Sequence, residues 1–161
     1  MAPEQTADLL PPAATRVRDA SSDAANRAIG HRMLDRVSRA AAQPATMAGD
    51  IAALDREWDV ERALMANAAT LATAGAVLAL TVHPRFAVVP AVVGGFLLQH
   101  ALQGWCPPLP VLRALGFRTA QEIAAERTAL KALRGDFAGL DRQDRPRARA
   151  RAALAASGAE A

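Results

Sequence analysis

Charged side chains almost disappear from the middle of this 161-residue chain. Between residues 63 and 112 the one exception is Arg85, which lies between two apolar runs at residues 63–82 and 86–105. As a helix each run would be about 30 Å long, enough to cross the hydrocarbon core of a bilayer. The pattern predicts an all-α membrane protein built on a two-helix transmembrane hairpin at residues 63–105.

Both runs are only moderately apolar, so we expect them to insert as a pair. The large apolar side chains favour insertion by about 2–3 kcal/mol in the first run and about 3–5 kcal/mol in the second, and polar residues oppose both. Small residues at helical spacing would let backbones approach closely, although alanine-rich helices also give such spacings by chance. The small residues are Ala68, Ala72 and Ala76 in the first run and Ala87, Ala91, Gly94 and Gly95 in the second.

Arginines near the ends of the runs predict the orientation of the hairpin. Arg56 and Arg62 precede it and Arg113 and Arg118 follow it, whereas the turn carries only Arg85. Basic residues are enriched in cytoplasmic loops. We therefore expect a multi-pass protein of the bacterial inner (plasma) membrane with both termini in the cytoplasm.

The segment before the hairpin divides into two parts. Residues 1–21 contain three prolines and little apolar surface, which predicts a disordered N-terminal tail. Residues 22–62 have helical periodicity, interrupted at Gln43-Pro44. They predict amphipathic and juxtamembrane cytoplasmic helices, with a helical pattern over residues 46–62 in which Ile51, Leu54 and Trp58 line one face.

The segment after the hairpin also divides into two parts. Residues 106–137 predict a Pro-rich turn and then a cytoplasmic amphipathic helix, which opens at a capping box from Thr119 to Glu122 and ends at Gly135. Residues 138–161 are rich in arginine around one proline and predict a basic, disordered tail.

The excess of basic residues, with a formal net charge of +3, fits anionic lipid head groups better than nucleic acid, because arginine beside apolar spans also sets membrane topology. Two sets of basic residues fall on helix faces: Arg32, Arg36 and Arg39 in the first, and Arg127, Lys131 and Arg134 in the second. The helix over residues 22–42 has an apolar face beside its arginines. That face could lie on the membrane or, equally, pack on another part of the protein.

Polar side chains of the apolar region concentrate at its end. On a helix, Gln99, Gln103 and Cys106 would share one face, with His100 at its border. Polar groups in a span are costly and face a partner helix or a wet cavity. These residues are therefore the candidate functional site.

Cys106 is the only cysteine, so an intrachain disulfide is excluded. It is either a reactive thiol or a small packed residue. Packing is favoured, because no base is assured nearby and the C-terminal end of a helix disfavours the thiolate. Cys106 and His100 are only two candidate ligands, whereas a zinc site usually needs three or four, which a symmetric dimer could supply. Without a phosphate loop, paired carboxylates or a serine nucleophile, we predict no metal, no cofactor and no enzymatic activity.

The sequence Gly104-Trp-Cys-Pro-Pro, directly after the apolar hairpin, resembles the YgaP-like transmembrane domain family. That family is a two-helix inner-membrane module with a Gly-x-Cys-Pro signature, found alone or fused to a rhodanese domain. The resemblance covers residues 57–116 and implies a stand-alone member, since no rhodanese domain is present. It further implies homodimers formed through the helices and a link to sulfur handling or to a small exported ion.

Three functional hypotheses follow. The first is a non-enzymatic, self-associating membrane module whose arms hold lipid or cytoplasmic partners. The second is thiol-dependent sulfur or redox handling, or small-ion export, centred on Cys106. The third is a soluble helical protein whose two apolar runs form its core.

Overall fold

The computed structural model describes residues 10–140 and 145–158, and every regular element within them is helical. The predicted all-α class is confirmed for this part of the chain, together with two candidate membrane-spanning helices. The helices are α1 (Arg16–Asp19), α2 (Asp23–Ala42), α3 (Met47–Leu54), α4 (Val60–Thr81), α5 (Val88–Gln103), α6 (Leu109–Leu115), α7 (Ala120–Arg134) and α8 (Pro146–Ser157), with 3-10 turns at Pro44–Thr46 and Pro84–Ala87.

The described residues form two compact units. The first contains residues 10–29 and 58–120, and the second contains residues 30–57, 121–140 and 145–158. These boundaries differ from divisions made along the sequence, because packing joins segments that are distant in the chain.

The start of α4 is fixed by a side-chain cap. Asp59 accepts a hydrogen bond on Oδ1 from the backbone N–H of Arg62, at 2.6 Å. A carboxylate there satisfies one of the free N–H groups of the first turn and meets the positive end of the helix dipole. The helical pattern over residues 46–62 is therefore divided between two helices, because α3 ends at Leu54 and α4 begins only after this cap.

Helices α4 and α5 pack against each other on either side of the turn at Pro84–Ala87. At Gly75 an added Cβ atom would lie 2.6 Å from Cβ of Val89 and 2.9 Å from Cδ of Pro90. Such distances exclude a side chain, so glycine sets how closely the two backbones approach. The same face of α4 continues through half-buried Ala68, Ala72 and Ala79.

The hydrophobic core of the first unit lies at the end of α4 and α5 that is away from this turn. It is a buried cluster of Val17, Val60, Leu64, Cys106 and Leu109. The structure differs here from the disordered tail predicted over residues 1–21. Burial of Val17 explains why a helical turn forms at α1. Residues 1–9 of that tail lie outside the described residues.

The core of the second unit is formed by α2, α3 and α7. Its buried members are Ala40, Met47, Ile51, Leu54, Ile123 and Leu130, with Val37 packed against them. Of the two interpretations of the apolar face of α2, packing within the protein therefore holds for Val37 and Ala40. The bounds of α7 agree with the capping box and the terminal glycine read from the sequence.

Helix α8 occupies much of the segment predicted as a disordered tail over residues 138–161. Pro146 begins it, where the missing N–H of proline costs nothing. At its other end, Lys131 Nζ donates to the carbonyl of Ala156 at 3.1 Å and Arg127 Nη1 donates to that of Ser157 at 3.3 Å. These cations satisfy terminal carbonyls, which the sequence alone does not show. Residues 141–144 and 159–161 lie outside the described residues.

Candidate functional site

The predicted polar face is divided at Gly104, which ends α5 in the left-handed conformation with φ 78°. Cys106 therefore does not continue the helical face of Gln99 and Gln103. Gln99 is half-buried and Gln103 is exposed, whereas His100 at the predicted border is buried. The buried polar side chain of this region is thus the histidine and not the two amides.

Gly104 also allows α1 to pack against the end of α5. An added Cβ atom there would overlap the backbone carbonyl of Arg16. The backbone N–H of Gly104 meanwhile donates to the carbonyl of His100 at 2.8 Å. Two structural features thus favour glycine at this position of the Gly-x-Cys-Pro sequence, a positive φ and a close backbone contact.

Cys106 is 4% exposed within the cluster that contains Val17, Val60 and Leu64. Its backbone carbonyl accepts a hydrogen bond from the N–H of Leu109 at 3.0 Å. Burial raises the pKa of the Cys106 thiol, and a backbone hydrogen bond from Leu109 opposes this by less. The geometry is that of a packed thiol held in its protonated form.

His100 is 7% exposed, and neither of its ring nitrogens has a hydrogen-bond partner within the described part of the chain. Two other side chains whose charges act on the ring, Arg16 and Glu61, each hold one buried polar atom without a partner, Nε and Oε2 respectively. The three side chains come from α1, α4 and α5, and sequence reasoning did not bring them together. Their wide separation in the chain explains why.

Within the first unit, Arg113 anchors α6. It is 1% exposed and donates to the backbone carbonyl of Phe117 at 3.1 Å and to Oδ1 of Asn26 at 2.8 Å. The backbone N–H of Val60 donates to the carbonyl of Arg118 at 2.7 Å. Two arginines used to predict topology are therefore also buried structural residues.

An apolar groove of about 500 Å³ lies between α4 and α5 on the side of the core cluster. One polar side chain, Asn67, and the Cys106 residue line it together with apolar groups. The apolar members are Leu64, Ala68, Leu71, Val92, Val93, Phe96, Leu97, Pro107 and Pro108. A groove with this lining suits an apolar ligand, and its volume lies in the range of roughly 300–1,000 Å³ that small-molecule sites occupy.

The predicted helix-packing residues Ala87, Ala91, Gly94 and Gly95 are exposed. A Cβ atom added to Gly94 or Gly95 would meet no atom within 4 Å. Within the described residues, the glycine between α4 and α5 is instead Gly75, which the sequence analysis did not single out. Gly75 could have been identified from the sequence, because it is a glycine within the first apolar run.

In the second unit, several basic residues predicted to meet lipid interact within the protein. Arg127 Nε lies 2.8 Å from Oδ1 of Asp55, and Arg134 Nε donates to Oδ1 of Asp136 at 2.7 Å. That exposed hydrogen bond raises the pKa of Arg134 and lowers that of Asp136. Together with the α8 contact of Lys131, these interactions occupy the whole predicted basic face of α7.

Arg36 of α2 is also committed to an internal pair. Its Nε lies 3.0 Å from Oε1 of Glu126, and its Nη2 donates to Oε2 at 3.1 Å. Glu126 is buried. The pair borders a polar cavity of about 340 Å³, which Arg39 and Asp50 also line. Of the arginine stripe on α2, Arg32 and Arg39 stay exposed.

Across residues 10–140 and 145–158, no three His, Cys, Asp or Glu side chains are grouped so as to hold a metal ion. Comparisons with protein-family models, with curated proteins and with solved structures find no match for this chain.

Proposed function

We propose that this chain is an integral protein of the bacterial inner membrane, anchored by a hairpin of α4 and α5 and without enzymatic activity. The observation that carries the proposal is the exposure of the two candidate spans, Val60–Thr81 and Pro84–Gln103. In their most apolar 18-residue windows only 11% and 6% of the residues are buried. The core helix of a soluble protein would be mostly buried, so the third hypothesis loses its main support.

The exposed side chains are large as well as numerous. Leu80 on the first span is 88% exposed, and Val82, directly after that span, is 66% exposed. The others on the two spans are Met65, Leu71, Val77, Leu78, Val88, Val92, Phe96, Leu97, Leu98 and Leu102. Soluble monomers rarely expose a contiguous apolar patch beyond a few hundred Å². In a bilayer the same surface is matched to the acyl chains.

The hairpin is supported by the core cluster of the first unit. It brings Val60 and Leu64, at the start of α4, together with Cys106 and Leu109, which follow α5. Both spans therefore leave the apolar region at the same end, with the turn at the other. The bias of arginine toward this end favours the cytoplasm for both termini.

Self-association is the second part of the proposal. The face of Ala87, Ala91, Gly94 and Gly95 is open on α5, and a small-residue surface lets two membrane helices approach closely. In a homodimer formed through this face, the α5 helices of the two copies would contact each other on the side of α5 that does not pack against α4. Exposed arginines on two helices, Arg32 and Arg39 on α2 and Arg147 and Arg151 on α8, give basic surface for contact with anionic head groups.

The thiol-dependent hypothesis and the resemblance to YgaP-like modules stay predictions. A buried thiol with a raised pKa does not favour a nucleophilic role for Cys106. We therefore place the membrane module first.

A matched pair of arginine substitutions tests membrane insertion. Val77→Arg places a charge on an exposed apolar position of α4, and Leu34→Arg does the same on α2, outside both spans. In a bilayer the first change costs up to about 2.5–3.5 kcal/mol, the cost at the centre of a span, and the second costs little. We expect only Val77→Arg to reduce the fraction of protein that floats with lipid vesicles. Two variants that are equally soluble and monodisperse without detergent would contradict the proposal.

A further inference from the structure

We infer that the groove between α4 and α5 binds one acyl chain of a membrane phospholipid, an inference that rests on the membrane insertion proposed above. The groove is lined by residues of the two candidate spans themselves, from Leu64 to Leu71 on α4 and from Val92 to Leu97 on α5. It therefore lies at the depth of the acyl chains once the helices are inserted.

The deep end of the groove lies toward the close contact of the two helices. Gly75 approaches Val89 and Pro90 one turn beyond the last groove residues on each helix. From there toward the core cluster the helices leave about 500 Å³ between them. Water is disfavoured in a cavity with such an apolar lining, since it needs two to four polar partners. A flexible hydrocarbon chain fills the same space and keeps its contacts with the lining.

The polar groups of the groove lie where the polar end of a lipid would be. Asn67 is four residues inside the start of the charge-free run, about 6 Å along the helix. Cys106, Pro107 and Pro108 close the same end. The amide of Asn67 can donate to an ester carbonyl near the head group, while Leu71 and Phe96 line the part that the chain would occupy. This gradient favours a phospholipid over a wholly apolar molecule.

A photoreactive lipid tests the inference on the full chain. The probe is a phosphatidylcholine with a diazirine in the middle of one acyl chain, mixed into phosphatidylcholine vesicles that contain the protein. After irradiation, mass spectrometry locates the adducts. We expect groove residues such as Leu71 and Phe96 to carry at least about fivefold more adduct than exposed Met65 and Leu98, which lie outside the groove.

Filling the groove supplies the matched control. Ala68→Phe should remove most of the excess, whereas Ala66→Phe, an exposed position on another face of α4, should leave it unchanged. Adducts spread evenly over all lipid-facing residues of the wild type would overturn the groove site and leave the membrane proposal standing. A protein without adducts on either span would contradict the proposed function itself.

Discussion

Gly75 on α4 and Val89 on α5 are so close that a Cβ atom on the glycine would lie 2.6 Å from Cβ of the valine. This one contact sets the separation of the two helices, because nothing larger than hydrogen fits between the backbones there. Gly94 lies on α5 with no atom within 4 Å of its ideal Cβ position. We therefore expect the same substitution, glycine to alanine, to have different effects on stability at these two positions.

Gly75→Ala should lower stability and Gly94→Ala should not. The added methyl at Gly75 forces the helices apart, with an overpacking cost of about 1–3 kcal/mol that exceeds the gain in helix propensity. At Gly94 only that gain applies. Thermal unfolding by circular dichroism in detergent, at dilutions that keep the protein monomeric, measures both. Equal stability of the two variants would mean that α4 and α5 are not packed at Gly75.

The sequence predicts the two long apolar helices well, because missing charge and apolar composition are local properties. It does not predict the contact at Gly75, since several small residues on α4 have suitable spacing and only packing selects among them. The same holds for the cluster of Arg16, Glu61 and His100, whose members are far apart in the chain. The sequence does not predict the end of α3 at Leu54, because no Pro or Gly marks it; the next helix begins only after the capping carboxylate of Asp59.

The arginine stripe on α2 is a second case in which a local pattern gives only part of the answer. Arg36 lies beside buried Glu126, whereas Arg39 on the same helix is exposed. The periodicity shows that the arginines share a face, but the acidic partner comes from α7. Replacing Arg36 and Arg39 one at a time therefore distinguishes the residue with a structural role from the residue on the surface.

Arg36→Met should therefore destabilise the second unit, and Arg39→Met should have little effect. Removing Arg36 withdraws two contacts from a carboxylate that is 2% exposed, a loss of about 1–3 kcal/mol. Chemical denaturation followed by circular dichroism compares the two variants. If Arg39→Met proved the more damaging change, the internal pair would not be the main role of the stripe.

The thiol of Cys106 should react slowly with N-ethylmaleimide at pH 7. The thiolate is the nucleophile, and burial raises the pKa of the thiol, so its thiolate fraction is below that of a free cysteine. Because the pKa is higher in the folded protein than in the unfolded chain, stability should fall as the pH rises above about 8.5, the ordinary cysteine value. Labelling rates from pH 6 to 10, compared with denatured protein, check this. Fast labelling of the folded protein at pH 7 would instead support an activated thiol.

Gly95→Leu should weaken self-association of the protein. A leucine on the open face of α5 prevents a second helix from approaching closely, and a loss of about 1.4 kcal/mol would raise the dissociation constant about tenfold. The control is Ala74→Leu, which adds the same bulk at an exposed position of α4. Energy transfer between labelled copies in vesicles reports both constants. An unchanged constant for Gly95→Leu would remove this face from the proposal.

Sided cysteine labelling of the protein in intact spheroplasts tests the central claim, the transmembrane hairpin, most directly. Because native Cys106 is buried, it is first replaced by alanine. Two variants of this Cys106→Ala protein then each carry one new cysteine at an exposed position, His83→Cys in the turn or Ser38→Cys on α2. We expect the protein to resist alkaline carbonate extraction, with the turn cysteine labelled from outside by an impermeant maleimide and the α2 cysteine labelled only after permeabilisation. Release by carbonate, or labelling of both positions from the same side, would contradict the hairpin.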